Sequence, residues 1–137
     1  LFDEADAARL LRRRRELGAT GVAILADIRK KHSSHAVTAD LSLGDLAEGC
    51  AFCGADAVVV TGSATGHPTS AEDLAAARRG GPLPVVVGSG ADAASVRTLL
   101  EQADAIVVGS SIKHDGHWVK PIDPLRARAF VEAARGR

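Results

Sequence analysis

Apolar residues follow two alternating rhythms along this chain. Short unbroken apolar runs at 22–28, 57–61, 84–87 and 105–108 are separated by longer stretches with apolar positions at helical spacing. The runs predict strands of a parallel sheet covered on both faces, and the longer stretches predict amphipathic helices. An opening helix is expected over 3–17, with Ala7, Leu10, Leu11, Arg14 and Leu17 at helical spacing and Gly18 as its stop. Ser42-Leu43-Gly44-Asp45 predicts a capped helix over 45–53, ending at Gly54. Thr69-Ser70-Ala71-Glu72 reads as a second capping box, for a helix that stops at Gly80-Gly81. A further helix is expected over 92–102. Asp123-Pro124, an N-cap followed by proline at the first helical position, opens the last one, which runs to about residue 134.

One helix followed by four strand–helix units, repeating at intervals of roughly 20 to 36 residues, is an α/β pattern of parallel βα units. A complete eight-unit barrel takes about 250 residues, and this chain has 137. The expectation is therefore a single domain over 1–137 forming half of a (βα)8 barrel. Either it is part of a longer chain, which its start at Leu1 favours, or two copies pair through their edge strands. The loops after the strands are richer in Asp, His, Thr, Ser and Gly than those before them, so function is expected at the C-terminal strand ends.

Charge narrows the partners. Lys plus Arg and Asp plus Glu are 17 each, which gives no electrostatic case for nucleic acid or an acidic membrane. The Arg12-to-Arg15 run is read as a solvated face near a helix C-terminus. No apolar run approaches the roughly 20 residues of a membrane span, and no secretory signal is evident. Two cysteines, Cys50 and Cys53, sit in a C-x-x-C near a helix end. A redox pair would sit at a helix start, so both are expected to be buried or half-buried structural thiols. That fits a reduced compartment, the cytoplasm or an organelle.

The candidate chemistry lies after the strands. Val85-Val86-Val87 runs into Gly88-Ser89-Gly90, and Ala105-Ile106-Val107-Val108 runs into Gly109-Ser110-Ser111. Consecutive turns of this kind can close backbone N–H groups on one phosphate, with a following helix adding its dipole. Lys113 is placed to reach that anion. Asp27, Lys31 and His32 follow the first strand, where an acid, a base and an imidazole can transfer protons or bind an anion. The loop after the second strand, Thr61-Gly62-Ser63-Ala64-Thr65-Gly66, offers small donors with room for a ligand, Thr61, Gly62, Thr65 and Gly66 foremost. His32/His35 and His114/His117 are two H-x-x-H pairs. The pattern is weak, and neither a metal nor a cofactor is expected. Asp115-Gly116 reads as a plain turn.

Taken together, these segments resemble the BtpA/SgcQ family. The resemblance rests on Ala26-Asp27 with Lys31-His32, Ala55-Asp56-Ala57, the Thr61-to-Gly66 loop, and Pro84-Val85 with Gly88-Ser89-Gly90. It continues through Ala103-Asp104-Ala105, Gly109-Ser110 with Lys113 and Gly116, and Pro121-Ile122-Asp123-Pro124. It implies a (βα)8 barrel of the ribulose-phosphate-binding group, with this chain as strands five to eight. It also implies links either to photosystem I biogenesis or to a nucleosidase-like enzyme. Ser33-Ser34-His35 departs from the family pattern, where small and apolar residues are expected. The leading expectation is an enzyme whose partner is a small phosphorylated sugar or nucleotide-like molecule, with a homo-oligomeric assembly. The alternative is a non-catalytic assembly or stability factor that keeps the anion site.

Overall fold

A computed structural model describes residues 6–30, 34–62 and 69–136. Lys31, His32, Thr65 and Gly66 lie outside the described residues, as does most of the loop after the second strand. The elements run α1 (Ala7–Glu16), β1 (Leu25–Asp27), α2 (Leu43–Phe52), β2 (Ala57–Val60), α3 (Ala71–Arg79), β3 (Val85–Val87), α4 (Val96–Leu100), β4 (Ala105–Ile106) and α5 (Pro124–Arg135). The four strands form one parallel sheet in the order β1-β2-β3-β4. The architecture is α/β with alternating helices, consistent with part of a (βα)8 barrel.

Sequential order has a consequence for layering. Parallel crossovers are almost always right-handed, so a chain that always steps in one direction lays its helices on one face. The core shows this. Val58, Val60, Val85 and Val87 pack with Leu43 and Ala47 of α2 and with Leu74 and Ala77 of α3. A second cluster joins Val96, Phe130 and Ala91, with Ile106 and Val108 packed against it. Alternation puts Leu25, Ala57, Val59, Val86 and Ala105 on the opposite face. No described residue outside the sheet joins them in a core cluster. On that face Ala57 and Val86 are buried, Val59 is half-buried, and Leu25 and Ala105 are exposed, so among the described residues helices cover one face, and the other is buried only at its centre.

The strands are shorter than their apolar runs. Val22 N–H turns back to Ala19 O at 3.0 Å instead of joining the ladder. At the far edge Val107 N–H still reaches Val87 O at 2.8 Å, but the β3–β4 pairing ends at Val87 and Ile106, and Val108 packs into the second core cluster instead. α4 is only five residues long because 92–95 are taken up by an Asp92–Ser95 turn.

Caps fix the helix starts. Ser42 and Asp45 form a reciprocal capping box on α2 as expected. The second box is shifted by one residue: Ser70 Oγ accepts from Asp73 N–H, and the Thr69 hydroxyl is buried, donating to Val60 O at 3.3 Å. The burial of Thr69 removes it from the cap. Asp123 caps α5 ahead of Pro124 as expected. Arg12, Arg13 and Arg15 are exposed, whereas Arg14 is half-buried and bonds Asp56 at 2.7 Å. Cys50 is half-buried as expected, but Cys53 is exposed, because α2 ends there and the chain turns through Gly54 at φ +79°. Asp115 and Gly116 form the expected turn, both with positive φ.

Candidate functional site

The site begins with a missing side chain. A Cβ on Gly88 would stand 2.5 Å from Thr61 Oγ1 and 2.7 Å from Val59 Cγ1, so only glycine lets β3 pass the end of β2 this closely. Thr61 Oγ1 in turn donates to Asp27 Oδ2 at 2.8 Å. Asp27, Thr61 and Gly88, from three successive strand ends, thus form one connected row. The other oxygen of Asp27 accepts Arg29 N–H at 3.1 Å. Asp27 is exposed, and Gly62 beside Thr61 is buried.

From Gly88 the chain enters the first glycine turn, where Gly90 takes φ +83°. The second turn, Gly109-Ser110-Ser111, opens a short 3-10 stretch, Ser110–Ile112. Ser111 Oγ donates to Ala91 O at 2.7 Å and ties the two turns together. They share a cleft of about 580 Å³ lined by Gly88, Ser89, Gly90, Gly109 and Ser110, with Trp118 on its wall. Among the described residues, the backbone N–H groups of Ser89, Gly90, Gly109 and Ser110 have no protein acceptor. Ser89 Oγ is buried and has no partner. Burying a hydroxyl unpaired costs about 1–3 kcal/mol, so Ser89 leaves an unmet hydrogen bond beside the cleft.

Two expected contributors are engaged elsewhere. The helix dipole after the first turn is already used: Asp92 Oδ1 accepts from Ala94 N–H, Ser95 N–H and Ser95 Oγ at 2.8–3.0 Å. The Ser95 hydroxyl and backbone bonds hold the Asp92 carboxyl below its ordinary pKa. Lys113 does not line the cleft. Its ammonium donates to Trp118 O at 2.6 Å.

His114 and His117 do not converge. His114 faces Asp123 at 3.5 Å, and the His117 ring stacks beside Trp118. Among the described residues no three His, Cys, Asp or Glu side chains gather closely enough to hold a metal. Nor is any described helix long and apolar enough to cross a membrane.

A family model, the BtpA family, matches residues 2–136. The chain belongs to the BtpA family. The photosystem I biogenesis protein BtpA of Synechocystis is 40% identical over 134 residues, covering 95% of this chain and 45% of that protein. An uncharacterised mitochondrial protein of Caenorhabditis elegans is 40% identical over 126 residues, covering 92% of this chain and 45% of its own length. An uncharacterised protein of Thermococcus kodakarensis is 38% identical over 115 residues, covering 83% and 42%. The chain thus spans less than half the length of these relatives. No solved structure matches it.

Within this BtpA-family chain, sequence reasoning gave no role to Ser111 or Trp118. Ser111 was named only as the end of the second turn, and its bond to Ala91, 20 residues away, has no local sign. Trp118 was the more visible signal, being the one tryptophan in the chain, nine residues beyond Gly109. The Asp56 and Asp104 segments, which carry much of the resemblance, lie at the opposite end of the sheet. Asp56 Oδ2 accepts Ile24 N–H and Arg14, and Asp104 Oδ2 accepts Val85 N–H and Arg78. Each carboxylate ties a strand to its neighbour and to the helix before that neighbour, a role in stability.

Proposed function

We propose that this chain is the phosphate-holding half of a BtpA-family (βα)8 enzyme, strands five to eight, acting on a small phosphorylated sugar or nucleotide-like substrate. One observation supports the reading: two tied glycine turns bring free backbone N–H groups together at a single cleft, with the buried, partnerless Ser89 hydroxyl beside it. Gly88, Ser89, Gly90, Gly109 and Ser110 hold the phosphate; Lys113, whose ammonium is held by Trp118 O, would have to leave that bond to add its charge. Asp27 acts as general acid/base or grips a substrate hydroxyl, oriented by Thr61. Lys31 and His32 orient or protonate the substrate, and Thr61, Gly62, Thr65 and Gly66 line its approach. The chemistry belongs to glycosidic cleavage, isomerisation or a lyase step.

The test is calorimetric and thermal. Ribose 5-phosphate and inorganic phosphate raise the melting temperature of the chain by mass action. Ser89→Ala weakens both ligands on the order of 5- to 10-fold, the effect of one lost hydrogen bond. Failure of every phosphorylated compound to bind overturns the reading. The name of the Synechocystis relative, a photosystem I biogenesis protein, favours a second one, a biogenesis factor that keeps the anion site without turnover. Binding without any product, followed by phosphorus NMR over a set of sugar phosphates and nucleotides, would select it.

A further inference from the structure

We propose that Trp118 and His117 form a stacking wall for a planar ring, so that the ligand of this cleft is a phosphorylated heteroaromatic compound of the nucleoside monophosphate class. The inference rests on the phosphate reading above and narrows its substrate. Trp118 is 71% exposed, an unusual position for the largest apolar side chain in the molecule. It lines the same cleft as Ser89, Gly90, Gly109 and Ser110. Its ring stands 6.5 Å from that of His117, with their planes 18° apart, so the two rings present nearly parallel faces.

The backbone beneath the rings is fixed, although the rings themselves are not packed into a core. Lys113 and Ile122 form an antiparallel bridge, and His114 N–H donates to Pro121 O at 3.1 Å. Inside this closed loop Lys113 Nζ holds Trp118 O, Lys120 N–H holds His117 O at 3.0 Å, and Lys120 pairs with Asp115. Val119 N–H reaches His117 Nδ1 in a long contact of 3.5 Å. An exposed aromatic on a braced loop is preorganised for a ligand, since little order remains to be imposed on binding.

Size points the same way. A cleft of about 580 Å³ is the volume of a site for a whole small molecule, and orthophosphate alone would leave most of it unfilled. Every nucleobase has a π-face, so stacking selects for a planar ring without selecting one base.

Trp118 is the sole tryptophan, so its fluorescence reports the wall directly. The chain is titrated with AMP, adenosine, ribose 5-phosphate and inorganic phosphate, with calorimetry alongside. AMP is expected to quench Trp118 and to bind between about 5- and 100-fold tighter than ribose 5-phosphate, the range of one base–aromatic stack. Trp118→Ala brings AMP down to the affinity of ribose 5-phosphate and leaves ribose 5-phosphate unchanged. Trp118→Phe retains most of the difference, and circular dichroism checks that both variants fold. Equal affinities for AMP and ribose 5-phosphate, indifferent to Trp118→Ala, would overturn the stacking wall and leave the phosphate site standing. Quenching by adenosine with no binding of ribose 5-phosphate or phosphate would overturn the phosphate site and keep the wall. No binding by any of the four overturns both.

Discussion

At the scale of single residues, Gly88 and Gly109 look alike in the sequence and differ in the structure. A Cβ on Gly88 collides with Thr61 and Val59, whereas nothing lies within 4 Å of a Cβ on Gly109. Gly88→Ala is expected to cost about 1–3 kcal/mol of stability through overpacking. Gly109→Ala should stay within about 0.5 kcal/mol, as surface changes do. Urea denaturation of the two variants checks the contrast, and equal losses would refute it. The two cysteines diverge in the same way. Burial, with the neighbouring Cys53 thiol second, pushes the Cys50 thiol up, while Cys53 is exposed. Iodoacetamide at neutral pH should therefore label Cys53 well before Cys50, as peptide mass spectrometry would show. Glycine spacing announced a turn at each site, but which glycine touches another strand is a property of the assembled sheet and has no local sign.

At the scale of elements, the helices were more legible than the strands. Capping is a local code: Ser42 with Asp45, and Asp123 with Pro124, are read correctly because their partners lie within three residues. Thr69 misleads because its hydroxyl serves Val60, nine residues away. Strand ends depend on a neighbour, and the runs at 22–28 and 105–108 overshoot because pairing covers only Leu25–Asp27 and Ala105–Ile106. Ser42→Ala should cost about 1 kcal/mol. It should also raise the Asp45 pKa, which the Ser42 hydroxyl and backbone bonds hold below its ordinary value. Asp56 and Asp104 are held low too, first by the strand N–H groups of Ile24 and Val85, with Arg14 and Arg78 adding to the effect. A carboxyl whose folded pKa is depressed stabilises the fold above its unfolded pKa of about 3.9 and loses that contribution as pH falls through the folded value. Stability should therefore be level near neutrality and fall below about pH 4. Asp104→Asn should flatten that fall in a pH series of melting temperatures. An unchanged acid limb would mean that the Asp104 tie carries none of it.

At the scale of the whole molecule, the decisive feature is the sheet face that no described helix covers. Leu25 is 47% and Val107 52% exposed at the two outer strands of that face, while Ala57 and Val86 between them are buried. β1 and β4 each have one neighbour in the sheet and one free edge, and both edges carry unpaired ladder groups. An apolar face flanked by two free parallel edges is what a second four-stranded unit would cover, and the family relatives are more than twice as long as the region they share with this chain. The chain by itself should therefore associate, with β1 of one copy beside β4 of another so that the strands stay parallel and the apolar faces turn inward. Light scattering coupled to size exclusion should find a dimer or larger species at micromolar concentration. Leu25→Lys combined with Val107→Lys should shift it to monomer, because both changes charge the uncovered face and neither residue belongs to the helix-side core clusters. Helical circular dichroism should survive the double change. A wild-type monomer that binds no hydrophobic dye would show that the face is not an interface. The same association would also bear on the cleft, since β4 leads directly into Gly109 and Trp118, and closing its free edge is expected to tighten ligand binding in step with dimer formation.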